Sequence, residues 1–248
     1  MIIDRVQHAG WRSNTWLIAG RVDGPGLLVD PGGDPPRALE MVRRRGVKIE
    51  AIVCTHRHYV HAQGSDFLAR NLQAPVLTHP LEKPFLPEAS GVIEEGHRFD
   101  FGEWAAEVIH LPGHTTGMIG LAVPGVGVFV SDLIFRGSVG STIHPGSAGF
   151  EALKKSALER VLSLPPETVI YPGHGDTTTV RQELERNPFV RLWTGVDVPG
   201  TRPARFDGKR VTIEVWARDF DGTNKAQVRY ADGRADIVAA GKLQKVTL

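Results

Sequence analysis

The sequence predicts a layered α/β fold, because short apolar strand-like runs alternate with helical segments over residues 1–196. Ile2–Val6, Thr15–Ala19 and Gly26–Val29 read as strands separated by Gly and Pro. Arg37–Arg45 carries an apolar stripe at helical spacing, and Gly46 ends it. The same alternation predicts further strands and helices at Ile52–Cys54, Gln63–Leu72 (helix), Val76–Thr78, Trp104–Leu111, Met118–Val123, Val126–Val130, Glu151–Leu162 (helix), Val169–Tyr171 and Thr178–Arg186 (helix).

The pattern changes near residue 197. Asp197–Pro203 is rich in Pro and Gly and is predicted to be a linker. Alternating, strand-like segments follow, with Asp-Gly pairs at Asp221-Gly222 and Asp232-Gly233 that favour tight hairpins. These segments are Val211–Ala217, Lys225–Tyr230, Ala235–Ala239 and Leu243–Leu248. The sequence therefore predicts a main domain at 1–196, then a linker and a small β-rich C-terminal module at 197–248.

Composition limits the classes of function. The 248 residues carry a net charge of +1, which gives no electrostatic reason to expect nucleic acid or a membrane as partner. The first residues lack a signal peptide pattern, and no apolar run is long enough to span a membrane. The one cysteine, Cys54, excludes an internal disulfide and lies in an apolar strand, where we expect it to be buried. A cytoplasmic location is expected.

The segment Thr55-His56-Arg57-His58-Tyr59-Val60-His61 is the most informative part of the chain. It places three imidazoles directly after an apolar strand, and imidazole is the commonest protein ligand for zinc. Alternate side chains of an extended loop point the same way, so His56 and His58 can face one point. His61 can face a neighbouring point. This spacing predicts a metal site.

Three more potential ligands repeat one arrangement. His114 and His174 each follow an apolar strand and a Pro-Gly turn, and Asp132 follows the strand Val126–Val130. Loops at strand ends form sites on a rigid support, so these side chains are expected to meet at one sheet edge. Several imidazoles with a carboxylate match the ligand set of a catalytic divalent ion.

The chain resembles the metallo-β-lactamase superfamily, and within it the glyoxalase II-like (hydroxyacylglutathione hydrolase-like) branch. Besides the segment at 55–61, the resemblance is carried, in the order of the family, by Leu111-Pro112-Gly113-His114-Thr115-Thr116-Gly117, Ser131-Asp132-Leu133-Ile134-Phe135-Arg136-Gly137-Ser138-Val139-Gly140, Tyr171-Pro172-Gly173-His174-Gly175 and Glu185-Arg186-Asn187-Pro188-Phe189. The early turn Asp30-Pro31-Gly32-Gly33 also resembles one of the family, and we expect Asp30 to be structural and to bond backbone amides.

The resemblance implies a four-layered αββα sandwich. It also implies that His56, His58 and His114 hold a first metal, that His61 and His174 hold a second, and that Asp132 bridges them. The same six residues are then the candidate catalytic residues, and the implied reaction is hydrolysis of a small thioester or ester by metal-bound hydroxide.

Val60 is the first departure from the family, which has an aspartate at this position. Valine cannot coordinate a metal or orient a water molecule. We therefore expect the second site to be weakened and one zinc ion to bind more readily than two. An Fe²⁺ ion is the other candidate.

Two other departures concern the substrate. The family's charged Gly-Arg-Thr-Asp segment is replaced by Gly140-Ser141-Thr142-Ile143, and the helical module that grips glutathione is replaced by the β-rich tail. A small acyl thioester or ester other than a glutathione conjugate is therefore the expected partner. A homodimer is left open.

Two alternatives follow from the same residues. Sulfur dioxygenases that oxidise glutathione persulfide share the fold and motifs, and they hold one iron with two histidines and an aspartate, here His56, His114 and Asp132. Such an enzyme would be less affected by Val60. The second alternative is a non-catalytic metal-binding protein, which keeps its ligands but has lost turnover through Val60.

Overall fold

A computed structural model describes residues 1–245 as a mixed α/β chain with several sheets. Its contacts divide the chain into two compact units whose segments interleave along the sequence. Unit 1 comprises Met1–His110, Gly117–Ser131 and Gly173–Gly175. Unit 2 comprises Leu111–Thr116, Asp132–Pro172 and the chain from Asp176 onward.

The first sheet of unit 1 has six strands in the order of the sequence. The first three strands pair antiparallel and the last four pair parallel, so the third belongs to both patterns. The strands are β1 (Ile2–Gln7), β2 (Asn14–Ala19), β3 (Pro25–Val29), β4 (Lys48–Val53), β5 (Val76–Thr78) and β6 (Gly91–Val92). The strands predicted at Ile2–Val6, Thr15–Ala19, Gly26–Val29 and Val76–Thr78 are confirmed within one residue at each end. The strand predicted at Ile52–Cys54 begins four residues earlier, at Lys48, and ends at Val53, and β6 was not predicted.

Unit 1 also holds a run of four antiparallel strands, each paired with the next. They are β7 (Arg98–Asp100), β8 (Ala105–His110), β9 (Ile119–Val123) and β10 (Gly127–Ser131). The strands predicted at Trp104–Leu111, Met118–Val123 and Val126–Val130 are confirmed within one residue at each end. Ser131 ends β10 directly before Asp132, as the sequence predicted for that ligand.

Three helices belong to unit 1. Helix α1 (Pro35–Arg45) begins two residues earlier than predicted, because the Asp34 side chain accepts a hydrogen bond from the Arg37 N–H and caps it. The predicted helix Gln63–Leu72 is wrong at its start. A four-residue helix α2 (Tyr59–Ala62) carries His61, and α3 begins after Gly64 and spans Ser65–Leu72, consistent with the poor helix propensity of glycine.

The core of unit 1 packs the apolar stripe of α1 and the buried residue of α3 against the first sheet. Met41 and Leu68 share one hydrophobic cluster with Leu17, Leu28 and Ile52, all of them nearly inaccessible to solvent. Fully burying a side chain of this size contributes about 1.5–3 kcal/mol. This packing fixes the ends of β3 and β4, from which Asp30 and the segment 55–61 project.

Unit 2 contains short strands and three helices: β11 (Ile134–Phe135), β12 (Ser138–Val139), α4 (Phe150–Lys155), β13 (Val169–Pro172), β14 (Thr178–Thr179), α5 (Val180–Arg186) and α6 (Pro188–Trp193). The helix predicted at Thr178–Arg186 is wrong over its first two residues. These β-branched residues pair with β13 instead, and Thr179 caps α5 by accepting the Gln182 N–H. The predicted helix Glu151–Leu162 continues α4 as a π-helix over Ser156–Val161.

The C-terminal part of unit 2 is a five-stranded antiparallel sheet in the order β18-β17-β16-β15-β19. Its strands are β15 (Arg202–Phe206), β16 (Lys209–Arg218), β17 (Asn224–Tyr230), β18 (Ala235–Ala239) and β19 (Gln244–Lys245). The predicted linker Asp197–Pro203 is wrong at its end, where Arg202 and Pro203 already pair with β16. The end of the predicted strand Leu243–Leu248 lies outside the described residues.

No helix within residues 1–245 combines the length and the apolar character needed to cross a membrane.

Gly32 provides a test of the turn after β3. A Cβ at this position would lie 2.0 Å from the carbonyl oxygen of Val60, within the backbone of α2. Gly32→Ala is therefore expected to lower the free energy of unfolding by about 2 kcal/mol or more, measured by urea denaturation. The matched control is Gly241→Ala, where nothing lies within 4 Å of the added carbon. Equal stability of the two variants would contradict this account of the turn.

Candidate metal centre

Two histidines converge in the loop after β4. The Nε2 atom of His56 lies 3.1 Å from the Nδ1 atom of His58, and the two rings are nearly perpendicular. His56 is fully buried and His58 is half-buried. The other nitrogen of His56, Nδ1, lies 3.1 Å from the hydroxyl of Thr55 and 3.3 Å from that of Ser131. These contacts orient His56 so that its Nε2 atom faces His58.

A second pair forms around His61, which lies in α2. Its Nε2 atom is 3.1 Å from the Nε2 atom of His174. The Nδ1–H of His174 donates to the Trp11 carbonyl at 2.8 Å, so in the neutral ring the lone pair is on Nε2. The Nδ1 atom of His61 lies 3.2 Å from the Asp30 carboxylate. A ligating histidine commonly makes such a contact through its second nitrogen.

Unit 2 brings His114 and Asp132 together. The Nδ1–H of His114 donates to the Ser141 carbonyl at 2.7 Å, and its Nε2 atom lies 3.4 Å from Oδ2 of Asp132. Both side chains are buried. Of the six predicted ligands, four histidines therefore belong to unit 1, and His114 and Asp132 belong to unit 2.

The spacing of these atoms fits a divalent ion. Ligand atoms about 2.0–2.1 Å from a tetrahedral zinc ion lie about 3.3–3.4 Å from each other. The pairs described above are separated by 3.1, 3.1 and 3.4 Å. The donor set is also right in kind, because imidazole and carboxylate are ligands of both zinc and iron. Within unit 1, the histidine pairs His56–His58 and His61–His174 are therefore spaced as ligands of one metal ion are.

Asp30 organises the histidine cluster of unit 1. Its buried carboxylate accepts the Thr55 N–H at 2.8 Å, the Thr55 hydroxyl at 2.9 Å and the Ser131 hydroxyl at 3.0 Å. Asp30 and Ser131 have φ angles of 52° and 47°, a backbone conformation that costs about 1–3 kcal/mol for such residues and concentrates at functional sites. The structural role predicted for Asp30 is confirmed, whereas its contact with His61 was not predicted.

Sequence reasoning missed Glu82 as the partner of the metal loop. The Glu82 carboxylate is fully buried and pairs with Arg57, which lies between His56 and His58, at 2.6 Å. It also accepts the Arg57 N–H and the Gly117 N–H. The Arg57 guanidinium stacks on Phe85 at 3.7 Å. Nothing in the sequence linked Glu82 to the loop, because the two are 25 residues apart.

The remaining polar residues near the motif have other roles. Cys54 is buried against the Ser65 hydroxyl, as expected, and burial raises the pKa of its thiol. Tyr59 is exposed, with its ring edge-on to Trp11. His79 and His110 stack on each other at 4.6 Å. Val60 is half-buried, and its side chain has no atom that can coordinate a metal.

Comparison with known proteins gives the same family. The sequence profile described as "Metallo-beta-lactamase superfamily" matches residues 9–174. The hydroxyacylglutathione hydrolase GloC of Haemophilus influenzae is 29% identical over 184 residues, which cover 66% of this chain and 86% of that protein. Members of the superfamily are generally metal-dependent hydrolases.

Two solved structures share the fold. The BLEG-1 B3 metallo-beta-lactamase superposes with a TM-score of 0.70 at 24% identity, covering 76% of this chain and 99% of that one. TTHA1623, solved in a di-iron-bound form, has a TM-score of 0.66 at 36% identity, covering 75% of this chain and 99% of that one. The predicted fold class is confirmed, and the chain belongs to the metallo-β-lactamase superfamily.

Proposed function

We propose that this protein is a metal-dependent hydrolase of a small acyl thioester or ester. The observation that carries the proposal is the spacing of three donor-atom pairs, His56–His58, His61–His174 and His114–Asp132, at the separation of ligands on one ion. The similarity to a hydroxyacylglutathione hydrolase supports a thioester as the class of substrate.

The ligand assignment is part of the proposal and rests on the family resemblance together with these local geometries. His56, His58 and His114 hold the principal ion. His61 and His174 hold a weaker second ion, with Asp132 as the shared carboxylate. When bound, the ion lowers the pKa of a water ligand toward neutrality and polarises the substrate carbonyl.

The residues of the chain supply orientation and proton transfer. Hydrogen bonds to Thr55, Trp11 and Ser141 hold the rings of His56, His174 and His114, respectively. His61 and His174 can move protons at their Nε2 atoms when no second ion is present. Tyr59 is exposed, and we propose that its phenol donates a hydrogen bond to the oxyanion formed from the substrate carbonyl.

We propose that the second site binds its ion weakly, because Val60 contributes neither a ligand atom nor a negative charge. Asp30 lies behind His61, but its carboxylate is already bonded to Thr55 and Ser131. Asp132 is then the one carboxylate among the proposed ligands, which is little charge for two dications. We propose zinc as the metal and one ion per chain as the usual state.

An iron-dependent persulfide dioxygenase is the second candidate, and one observation favours it. TTHA1623, at 36% identity, has been solved in a di-iron-bound form, which supports iron as the metal but not the number of ions. In this reading His56, His114 and Asp132 hold one iron. Purified protein with about one iron per chain and oxygen uptake on adding a persulfide would establish this activity and exclude the hydrolase.

The proposed ligands are tested by alanine substitution. His56→Ala and His114→Ala are each expected to reduce bound metal and thioester hydrolysis together, by more than about a hundredfold in kcat/KM, because even partners behind the ligands are worth 10–100-fold. The measurements are elemental analysis and release of free thiol from a panel of acyl thioesters. His97→Ala, an exposed histidine outside the motifs, is the control. Full activity in either ligand variant would contradict the assignment.

Val60→Asp tests the weakened second site. A carboxylate at position 60 adds a ligand and a negative charge, so the number of ions per chain is expected to rise toward two, and hydrolysis to increase. Val60→Asn has nearly the same shape without the charge and is expected to leave both quantities near those of the parent. Identical metal content in the two variants would show that Val60 is not what limits the second ion.

A further inference from the structure

We propose that the C-terminal sheet is a positioning element for the metal ligand His114. The edge strand β18 binds Ser141 and Thr142, and the Ser141 carbonyl in turn fixes the His114 ring. We call Ser141, Thr142, Asp236 and Ile237 the clasp. The proposal rests on the proposed function only in taking His114 as a metal ligand.

The clasp consists of four hydrogen bonds within unit 2. The Ser141 hydroxyl and the Thr142 N–H both donate to the Ile237 carbonyl, at 3.0 and 3.1 Å. The Ile237 N–H donates to the Thr142 hydroxyl at 2.8 Å, and that hydroxyl donates to the Asp236 carboxylate at 2.9 Å. Each hydroxyl therefore has a defined partner, and Ser141 and Thr142 are both buried.

The clasp satisfies backbone groups that an edge strand otherwise presents to solvent. Strand β18 is the outer strand of the sheet, with β17 on its one paired side. Ile237 uses both its N–H and its carbonyl for the loop. A buried backbone group left without a partner is destabilising. The loop and the strand therefore stabilise each other.

The same serine reaches the histidine. While its hydroxyl is bonded to β18, its carbonyl accepts the His114 Nδ1–H at 2.7 Å. That bond fixes the tautomer and the orientation of the ring, and it leaves Nε2 as the ligating atom, 3.4 Å from Asp132. A shift of Ser141 away from the sheet would carry this acceptor away from His114.

A second contact holds the segment between Asp132 and the clasp. Lys225 of β17 is buried, donates its Nζ–H to the Val139 carbonyl at 2.7 Å and pairs with Asp219 at 2.8 Å. Asp219 accepts the Ser138 hydroxyl at 2.8 Å. Since Ser138 and Val139 form β12, the C-terminal sheet binds the chain on both sides of Gly140. The C-terminal sheet is thus one of the elements that hold the segment from Ser138 to Thr142.

The family profile ends at residue 174, before the first strand of the C-terminal sheet. Ser141 and Ile143 are the positions at which the loop departs from the charged segment of the resembling family. In this chain, the hydroxyls of Ser141 and Thr142 bind the sheet.

The experiment compares metal affinity in variants of the clasp. In the double variant Ser141→Ala, Thr142→Val, the hydroxyls are lost with little change of shape. We expect the dissociation constant for Co²⁺, measured on metal-free protein by competition with a chelator, to rise about tenfold or more. Arg205→Gln is the control, because Arg205 lies on β15 of the same sheet and its side chain bonds the Gly208 carbonyl, with no bond to the clasp. It is expected to keep the affinity of the parent.

A second readout needs no metal. In the metal-free parent, the His114 Nδ1–H is expected to give a proton resonance that exchanges slowly, and the double variant is expected to lose it. The single variant Thr142→Ser keeps a hydroxyl at both positions of the loop. It is expected to show the metal affinity and the resonance of the parent.

The outcomes separate the two proposals. Unchanged affinity and an unchanged resonance in the double variant, or equal losses in Arg205→Gln, would overturn the positioning role. Tight metal binding by the parent without hydrolysis would contradict the proposed function, while weaker binding by the double variant would still support the clasp. If the double variant does not fold, Ser141→Ala alone, which leaves the Thr142 bonds in place, decides by the same two measurements.

Discussion

The histidines of unit 1 depend for their positions on the hydrogen bonds of the Asp30 carboxylate. It joins the ends of three strands, because Asp30 follows β3, Thr55 follows β4 and Ser131 ends β10. Each of these contacts is buried, so hydrogen-bond donors of the protein replace the water that would otherwise solvate the Asp30 carboxylate. The two hydroxyls also contact His56, and the carboxylate contacts His61. One side chain thereby relates the strand framework to two candidate ligands.

The cluster has a second support on its outer side. Arg57 alternates with the histidines, so its side chain leaves the loop in another direction and pairs with the buried Glu82. Glu82 also accepts the backbone N–H of Arg57 itself. Breaking a buried pair of this kind costs about 3–5 kcal/mol, which makes it a strong constraint on the loop. The loop that carries His56 and His58 is thus held from two sides before any ion binds.

Local pattern in the sequence was enough to predict most strands, the histidine cluster and the family. The motif at 55–61 and the Pro-Gly turns before His114 and His174 are local signals, so each can be read without knowing what lies nearby. The contacts that orient the ligands are not local. His174 bonds to Trp11, and Ser141 bonds to Ile237, across 163 and 96 residues. The helix prediction at Thr178–Thr179 was wrong for a similar reason, because pairing with β13 outweighed the helical pattern that follows.

Because Val60 supplies no carboxylate, we propose that this centre binds one divalent ion well and a second one poorly. The decisive measurement is elemental analysis of the purified protein, with metals counted per chain. We expect about one zinc per chain. Close to two ions per chain would contradict the weakened second site, and a protein that stays free of metal after incubation with zinc would contradict the metal centre itself.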